Sequence, residues 1–158
     1  MTNRGLHPGV AGAAAAAVWA AFEPLDQRLF RSDYSDVAIL GKAVTRRPAW
    51  RPVGLVLHAV NGAIFGVVYD RVRRRLSVDE RRLALAMALT EHVVLYPSVY
   101  LVDRFHPARG EAGIPPLLTN GRAFGQGMVR HAIFGALVGM LTEARSAVNR
   151  ASQPAPRA

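Results

Sequence analysis

Four apolar stretches, separated by loops rich in arginine, dominate the pattern of hydrophobic and polar positions along the chain. They are Pro8 to Phe22, Pro52 to Tyr69, Leu83 to Val102 and Phe124 to Leu141. Each approaches or matches the ~20 helical residues that cross a hydrocarbon layer ~30 Å thick. The pattern therefore predicts an all-α integral membrane protein.

The predicted fold is a four-helix bundle that forms a single membrane domain over residues 1–145, followed by a disordered tail over residues 146–158. The spans are expected at about residues 8–24, 52–70, 83–102 and 123–142. A soluble helical bundle is an alternative, because the mean hydropathy is only +0.13. However, soluble helices expose a polar face every 3.6 residues. The alanine-rich first stretch lacks such a face.

A four-residue repeat links the second and fourth apolar stretches. Ala63 to Gly66 and Ala132 to Gly135 have the same sequence, Ala-Ile-Phe-Gly. The repeat predicts two tandem helical hairpins in parallel orientation, since two spans return the chain to the side on which it began. A chance identity between alanine-rich segments is the alternative.

Six arginines crowd the short loop between the second and third stretches. They are Arg71, Arg73, Arg74, Arg75, Arg81 and Arg82. Cytoplasmic loops of membrane proteins carry an excess of basic residues. We therefore place this arginine loop, residues 70–82, in the cytoplasm. Four spans then put both termini on the same cytoplasmic side.

The balance of basic and acidic residues indicates which class of partner the chain binds. The chain has 20 basic and 11 acidic residues, for a net charge of +9. The basic residues flank apolar stretches rather than forming a stripe with interleaved aromatics, so nucleic acid is not expected. A lipid bilayer with anionic headgroups is the predicted partner. Because the chain has no cysteine, any metal or haem would need histidine or carboxylate ligands.

The two longer loops also carry local signals. Ser35 and Asp36 precede an apolar stripe with helical spacing, formed by Val37, Leu40, Ala43 and Val44. This pattern predicts a short interfacial helix in the first external loop. The second external loop is rich in proline and glycine, which predicts a bent segment that caps the bundle.

Six polar side chains inside the spans form the strongest functional candidate, which we call the polar layer. Its members are His58, Asn61, Glu91, His92, Arg130 and His131. At 1.5 Å per helical residue they lie within roughly 10 to 16 Å of the external surface. An unpaired charge at this depth costs several kcal/mol, so we expect Glu91 and Arg130 to form an ion pair.

The polar layer has two interpretations. It can lock helix pairing, since polar groups in membranes satisfy each other. It can also form a site for a ligand, an ion or a proton. His58 and His131 stand on helices that the repeat makes equivalent, and two such histidines can ligate a haem iron axially. No further haem motif accompanies them, so no cofactor is expected and haem is the alternative.

Three carboxylates near the external ends of the first and third spans form a possible acidic site. Glu23 and Asp26 bracket Pro24, and Asp103 occupies the matching place after the third span. Facing carboxylates can carry out acid-base chemistry or bind cations. The alternative is that these acids meet neighbouring arginines at the headgroup boundary.

Small residues at four-residue spacing mark the second and fourth helices. They are Gly62 and Gly66, and Gly135 and Gly139. Such spacing lets two backbones approach closely. We expect tight contact between these two helices, or between the subunits of a homo-oligomer.

Several short motifs resemble those of small membrane proteins of actinobacteria, over most of residues 8–143. The motifs are Glu23-Pro24-Leu25-Asp26, Asp33-Tyr34-Ser35-Asp36, Leu40-Gly41-Lys42-Ala43-Val44, Glu91-His92 and Asp103-Arg104-Phe105-His106-Pro107. The resemblance implies a four-span protein of the bacterial inner membrane and gives no residue a role. The expected function is a non-enzymatic scaffold, accessory or small-solute role. The alternative is a protein that binds a ligand or haem through the histidines of the polar layer.

Overall fold

Every regular element in the described part of the chain is helical. The computed structural model describes the backbone of residues 6–151 and the side chains of residues 6–142. The elements are α1 Pro8–Phe30, α2 Asp36–Val44, α3 Trp50–Arg73, α4 Glu80–Leu95, a 3-10 turn Tyr96–Ser98, α5 Val99–Phe105 and α6 Gly121–Ala151. The predicted all-α class is confirmed over these residues.

Two helical segments among the described residues are long and apolar enough to cross a membrane. One is α3, with a mean hydropathy of 1.6, and the other is the continuous segment Glu80–Phe105, with a mean hydropathy of 1.4. The predicted first and fourth spans do not reach that level. Alanine, a weak hydrophobe, dominates α1, and polar residues including Arg130 interrupt α6. By length and composition, two of the four predicted spans are supported.

Two helix ends lie further along the chain than the sequence predicts. Helix α1 continues past Pro24 and ends where Arg31 adopts a left-handed conformation, with φ of 50°. Helix α6 continues to Ala151, so the first part of the predicted disordered tail is helical. Residues 152–158 lie outside the described residues.

The four long helices pack side by side in the order α3, α1, α6, α4. Neighbours in this row are antiparallel, so the start of α1 lies beside the C-terminal half of α6. There the Leu6 N–H donates to the Leu141 carbonyl at 3.1 Å. The arginine loop lies at this same end, which we call the arginine end. The opposite end, which carries α2 and residues 106–120, is the cap end.

Helices α3 and α4 follow each other in the chain but pack against different partners. At the arginine end Arg73 forms an ion pair with Glu80 at 2.9 Å. The Tyr69 hydroxyl also donates to the Glu80 carbonyl at 2.9 Å. Away from this end the two helices touch little, since α3 packs on α1 and α4 packs on α6. The bundle is therefore open between α3 and α4.

The repeated tetrapeptides occupy similar positions in the two halves. Phe65 and Phe134 are both buried, and their rings meet edge to face with centroids 4.9 Å apart. Ile64 and Ile133 both point outward, with 57% and 47% of their surface exposed. The two halves thus present the same residues to the same surroundings, as expected for paired hairpins.

The glycines lie at helix contacts, but the predicted partner is wrong. A Cβ on Gly62 would lie 2.4 Å from the Gly12 carbonyl oxygen, so α3 packs on α1. A Cβ on Gly135 would lie 2.8 Å from the Ala84 carbonyl oxygen, so α6 packs on α4. Each hairpin uses its glycines internally, and α3 and α6 are not joined through them. A homo-oligomer stays a prediction, without support from these positions.

The cap end is built by α2 and the loop that follows α5. Ser35 caps α2, because its Oγ accepts from the Ala38 N–H at 2.9 Å. The short helix packs on the start of α3, where Gly54 lies so close to Val37 that a Cβ would clash with its carbonyl oxygen. Ile114 in the loop is buried beside Ala38. The predicted short helix is therefore present and forms part of the bundle.

Candidate functional site

A cavity of about 320 Å³ lies in the cap half of the bundle, on the open side between α3 and α4. Helices α1 and α6 form its floor with Trp19, His131 and Phe134. Helices α3 and α4 form its two walls, and α2 with the 3-10 turn covers the cap end. Its volume falls within the range of small-molecule sites.

Five of the six polar-layer residues line this cavity. They are His58, Asn61, Glu91, His92 and His131. They come from three different helices, α3, α4 and α6, and the fold brings them together because these helices border the cavity. The sixth member, Arg130, lies beneath the cavity and acts on it through Asp36.

Arg130 is the most deeply buried charged side chain in the described part of the molecule, with 2% of its surface exposed. Its guanidinium binds Asp26 through two nitrogens, and the contact from Nη2 is 2.7 Å long. Nη1 donates to Asp36 Oδ2 at 2.7 Å. Nη2 also donates to the Tyr34 carbonyl at 3.1 Å. One guanidinium thus joins α6 to α1, to α2 and to the segment between α1 and α2.

The predicted ion pair between Glu91 and Arg130 is wrong. Depth along the helices puts the two residues in one layer, but it takes no account of the acids near the end of α1 and at the start of α2. Asp26 and Asp36 reach the guanidinium first. Among the residues that the structure describes, Glu91 has no hydrogen bond or ion pair.

Buried neighbours complete the network around Arg130. Gln126, one helical turn earlier on α6 and fully buried, donates to Asp26 Oδ1 at 2.8 Å. The Tyr34 hydroxyl donates to Asp36. Burial, together with the charge of Asp36 and the hydrogen bond to it, raises the pKa of the Tyr34 hydroxyl well above its ordinary value. The hydroxyl therefore stays a donor at any physiological pH.

Asp36 is the charged group that Arg130 presents to the cavity. Burial alone would raise the pKa of this carboxyl, but the Arg130 guanidinium, the nearby histidines and the Tyr34 hydroxyl hold it below its usual range. Asp36 is therefore ionised at neutral pH. The sequence marks this residue only as the first-turn acid of a short helix.

The three histidines line the cavity as a connected group of rings around Trp19. The Trp19 indole meets His58 and His131 edge to face, with ring centroids 5.0 and 5.3 Å apart. The rings of His92 and His131 lie 4.7 Å apart. His92 Nε2 contacts the Phe124 carbonyl at 3.1 Å, and His131 Nδ1 contacts the Gly127 carbonyl at 2.8 Å. His58 Nε2 is buried without a hydrogen-bond partner among the described residues.

The two histidines of the haem alternative, His58 and His131, both pack against the indole of Trp19. Within the described residues, no group of three or more His, Asp or Glu side chains is placed to hold a metal ion. The arrangement instead provides imidazole, amide and carboxylate groups beside aromatic surface.

The three carboxylates of the predicted acidic site have separate partners and do not form one site. Glu23 accepts from the Ser35 hydroxyl at 2.7 Å. Asp26 binds Arg130. Asp103 accepts from the backbone N–H groups of Leu117 and Leu118, each at 2.9 Å, and so anchors the loop after α5. The predicted acidic site is therefore wrong as a shared site, and each acid has a structural role.

The predictions from sequence do not include the contributions of Trp19, Tyr34, Asp36 and Gln126. Gln126 carries a signal that was available, since it lies four residues before Arg130 on an otherwise apolar helix and so shares its face. Asp36 carries no such signal, because acids are ordinary in the first turn of any helix.

No family model, curated protein or solved structure matches this chain. The resemblance to actinobacterial membrane proteins therefore stays a prediction.

Proposed function

We propose that the chain is a four-span protein of the bacterial inner membrane that binds a small molecule in the cavity between α3 and α4, without catalysing a reaction on it. The observation that carries this proposal is the cavity itself, which is lined by five of the six polar positions that stand out in the sequence. A purely structural layer would bring such groups into contact with each other. Here Asn61 and Glu91 line open space.

Four spans are favoured over two by the lengths and surfaces of α1 and α6. Helix α1 has 23 residues and α6 has 31. At 1.5 Å per residue each exceeds the ~30 Å hydrocarbon layer. Their outer faces carry apolar side chains, such as Phe22 with 57% and Ile133 with 47% of its surface exposed. Exposed apolar surface of this extent is typical of contact with lipid.

The membrane assignment makes a direct prediction. We expect the full chain to stay in the membrane pellet after washing with high salt or alkaline carbonate, because the apolar helices are buried in lipid rather than held by surface charge. The measurement is the fraction of protein in pellet and supernatant after each wash. Release into the supernatant by salt alone would overturn the assignment.

Orientation is a second prediction. We expect the arginine loop and both termini to face the cytoplasm, with α2 and residues 106–120 outside, because positive charge is retained on the cytoplasmic side. Fusions of a cytoplasm-active and a periplasm-active reporter at Ser77 and at Ala151 measure this directly. An external signal from both positions would reverse the topology.

Ligand binding is tested through Trp19, which lines the cavity. The chain has two tryptophans, so the Trp50→Phe variant leaves Trp19 as the only one. We expect at least one of three probes of equal size to change Trp19 emission in a saturable manner. The probes are benzyltrimethylammonium, neutral neopentylbenzene and anionic phenylmethanesulfonate.

The control for this experiment fills the cavity. In the Trp50→Phe background, Asn61→Phe places a ring in the cavity opening, and we expect it to abolish the saturable change. Val60→Phe adds the same ring one residue earlier, on the outer face of α3, and should leave binding intact. If no probe gives a saturable response, or if both variants behave alike, the proposed function fails.

A further inference from the structure

The cavity carries acidic groups in a strongly basic chain. Two formally charged side chains line it, the carboxylates of Asp36 and Glu91, and the lining contains no lysine or arginine. The chain as a whole has 20 basic and 11 acidic residues. The charge of the cavity is therefore opposite to that of the protein.

The two carboxylates differ in their partners. Asp36 forms an ion pair with Arg130, which lies below it, at 2.7 Å. Glu91 has no hydrogen bond or ion pair within the part of the chain that the structure describes. Glu91 is only partly exposed, and a carboxylate with limited access to water is stabilised by a cationic or hydrogen-bonding partner. Glu91 is thus the group whose partner a ligand would supply.

The remaining surroundings of Glu91 also suit a cation. Aromatic rings of Trp19, Phe65, Tyr96 and Phe134 line the same cavity. The faces of such rings attract a cation, most strongly when water is excluded.

An apolar groove adjoins the cavity on its outer side. It runs between α3 and α4 and is lined by Val68, Ala86, Met87, Thr90 and Val94. Phe65, Glu91 and Leu95 line both the groove and the cavity. The groove lies between the two helices best suited to cross a membrane. A molecule in the groove would therefore have lipid on one side and Glu91 on the other.

We propose that the ligand of this cavity is an amphipathic organic cation, whose ammonium head lies between Glu91 and the aromatic rings and whose apolar tail lies in the groove between α3 and α4. This inference rests on the proposed small-molecule function and specifies its ligand class. The charge of the lining and the position of Glu91 at the junction of cavity and groove decide against an anion or a sugar.

The head-group test uses the three probes of equal size on the full-length Trp50→Phe protein in detergent. We expect benzyltrimethylammonium to bind at least tenfold more tightly than neopentylbenzene, and phenylmethanesulfonate not to bind. In the same background, Glu91→Gln should weaken binding of the cation by at least tenfold and leave the affinity for the neutral probe unchanged. Glu111→Gln removes one negative charge from the exposed cap loop, where Glu111 pairs with Lys42 and Arg46. This control variant should bind both probes with the affinity of the parent.

The tail test compares benzyltrimethylammonium with benzyldimethylhexylammonium. We expect the hexyl cation to bind more tightly, since its tail is removed from water and packs in the groove. Ala86 is exposed and lines the groove, so Ala86→Phe should fill it without adding a second tryptophan to the Trp19 signal. This variant should cancel the advantage of the hexyl tail while leaving the binding of benzyltrimethylammonium unchanged.

The outcomes separate the two proposals. If the neutral probe binds as tightly as the cation, or Glu91→Gln leaves the cation affinity unchanged, the ligand class is wrong while small-molecule binding stands. Equal affinity of the two cations overturns the tail placement. If no probe binds the parent protein, the proposed function itself fails. Thermal unfolding of Glu91→Gln close to that of the parent rules out loss of folding as the cause of weaker binding.

Discussion

Replacement of Arg130 by methionine should lower the free energy of unfolding in detergent by about 3–5 kcal/mol, the loss typical of a buried ion pair left without one partner. The change removes the shared partner of Asp26 and Asp36 and leaves two carboxylates facing each other with little access to water. The measurement is reversible denaturant or thermal unfolding of the purified protein.

Two variants make the Arg130 result specific. Arg122→Met removes an arginine from the exposed first turn of the same helix and should change stability by no more than about 0.5 kcal/mol. Glu91→Gln should be nearly as mild, because Glu91 makes no ion pair within the described residues. A large loss in Glu91→Gln, or an Arg130→Met variant as stable as Arg122→Met, would show that the guanidinium has a different partner.

A compensating variant tests the two acids directly. Asp26→Asn and Asp36→Asn together, combined with Arg130→Met, should recover much of the stability, since no charge then remains at the site. Buried ion pairs can often be replaced by neutral groups at little cost. If the losses of unfolding free energy from the single changes simply added in the triple variant, the three residues would not form one network.

Replacement of Gly66 by alanine should destabilise the protein by about 1–3 kcal/mol, as expected when a methyl group is forced into a packed contact. The new Cβ would lie 2.0 Å from the Pro8 carbonyl oxygen, so α1 and α3 must separate. Backbone atoms cannot move aside as a flexible side chain can. The measurement is again the unfolding free energy in detergent.

Gly125 provides the matched control on α6. Its nearest neighbour to a new Cβ is an edge carbon of Phe30 at 3.7 Å, an ordinary contact. Gly125→Ala should therefore stabilise the helix by up to about 1 kcal/mol through propensity alone. If Gly125→Ala lowered the unfolding free energy as much as Gly66→Ala, the loss would reflect a general intolerance of substitutions within the helices rather than a close contact between α1 and α3.

The sequence predicts helical elements well because its signals there are local. The apolar stretches, the Ser35 cap and the turn-rich second external loop each predict structure from neighbouring residues, and the helices lie where these signals place them. Five of the six polar-layer residues line the cavity, and their similar depth could be predicted because depth along a helix follows from its constant rise. Depth does not show in which direction a side chain points around the helix axis.

The wrong predictions of side-chain and helix partners arise from this missing direction. Glu91 and Arg130 lie at similar depth, but Arg130 faces α1 and α2 whereas Glu91 faces the gap between α3 and α4. Likewise, Gly66 and Gly135 have similar surroundings in the repeat yet pack on α1 and α4 rather than on each other's helices. Partner choice depends on the arrangement of all four helices, which no single stretch of sequence contains.

The position of Arg130 also has a consequence for how the chain is assembled during synthesis. Its carboxylate partners Asp26 and Asp36 precede it by 104 and 94 residues. If α6 enters the bilayer as proposed, these two earlier acids are the partners that neutralise its arginine among the described residues. Stable insertion of the last helix then depends on α1 and α2, which must already be in place.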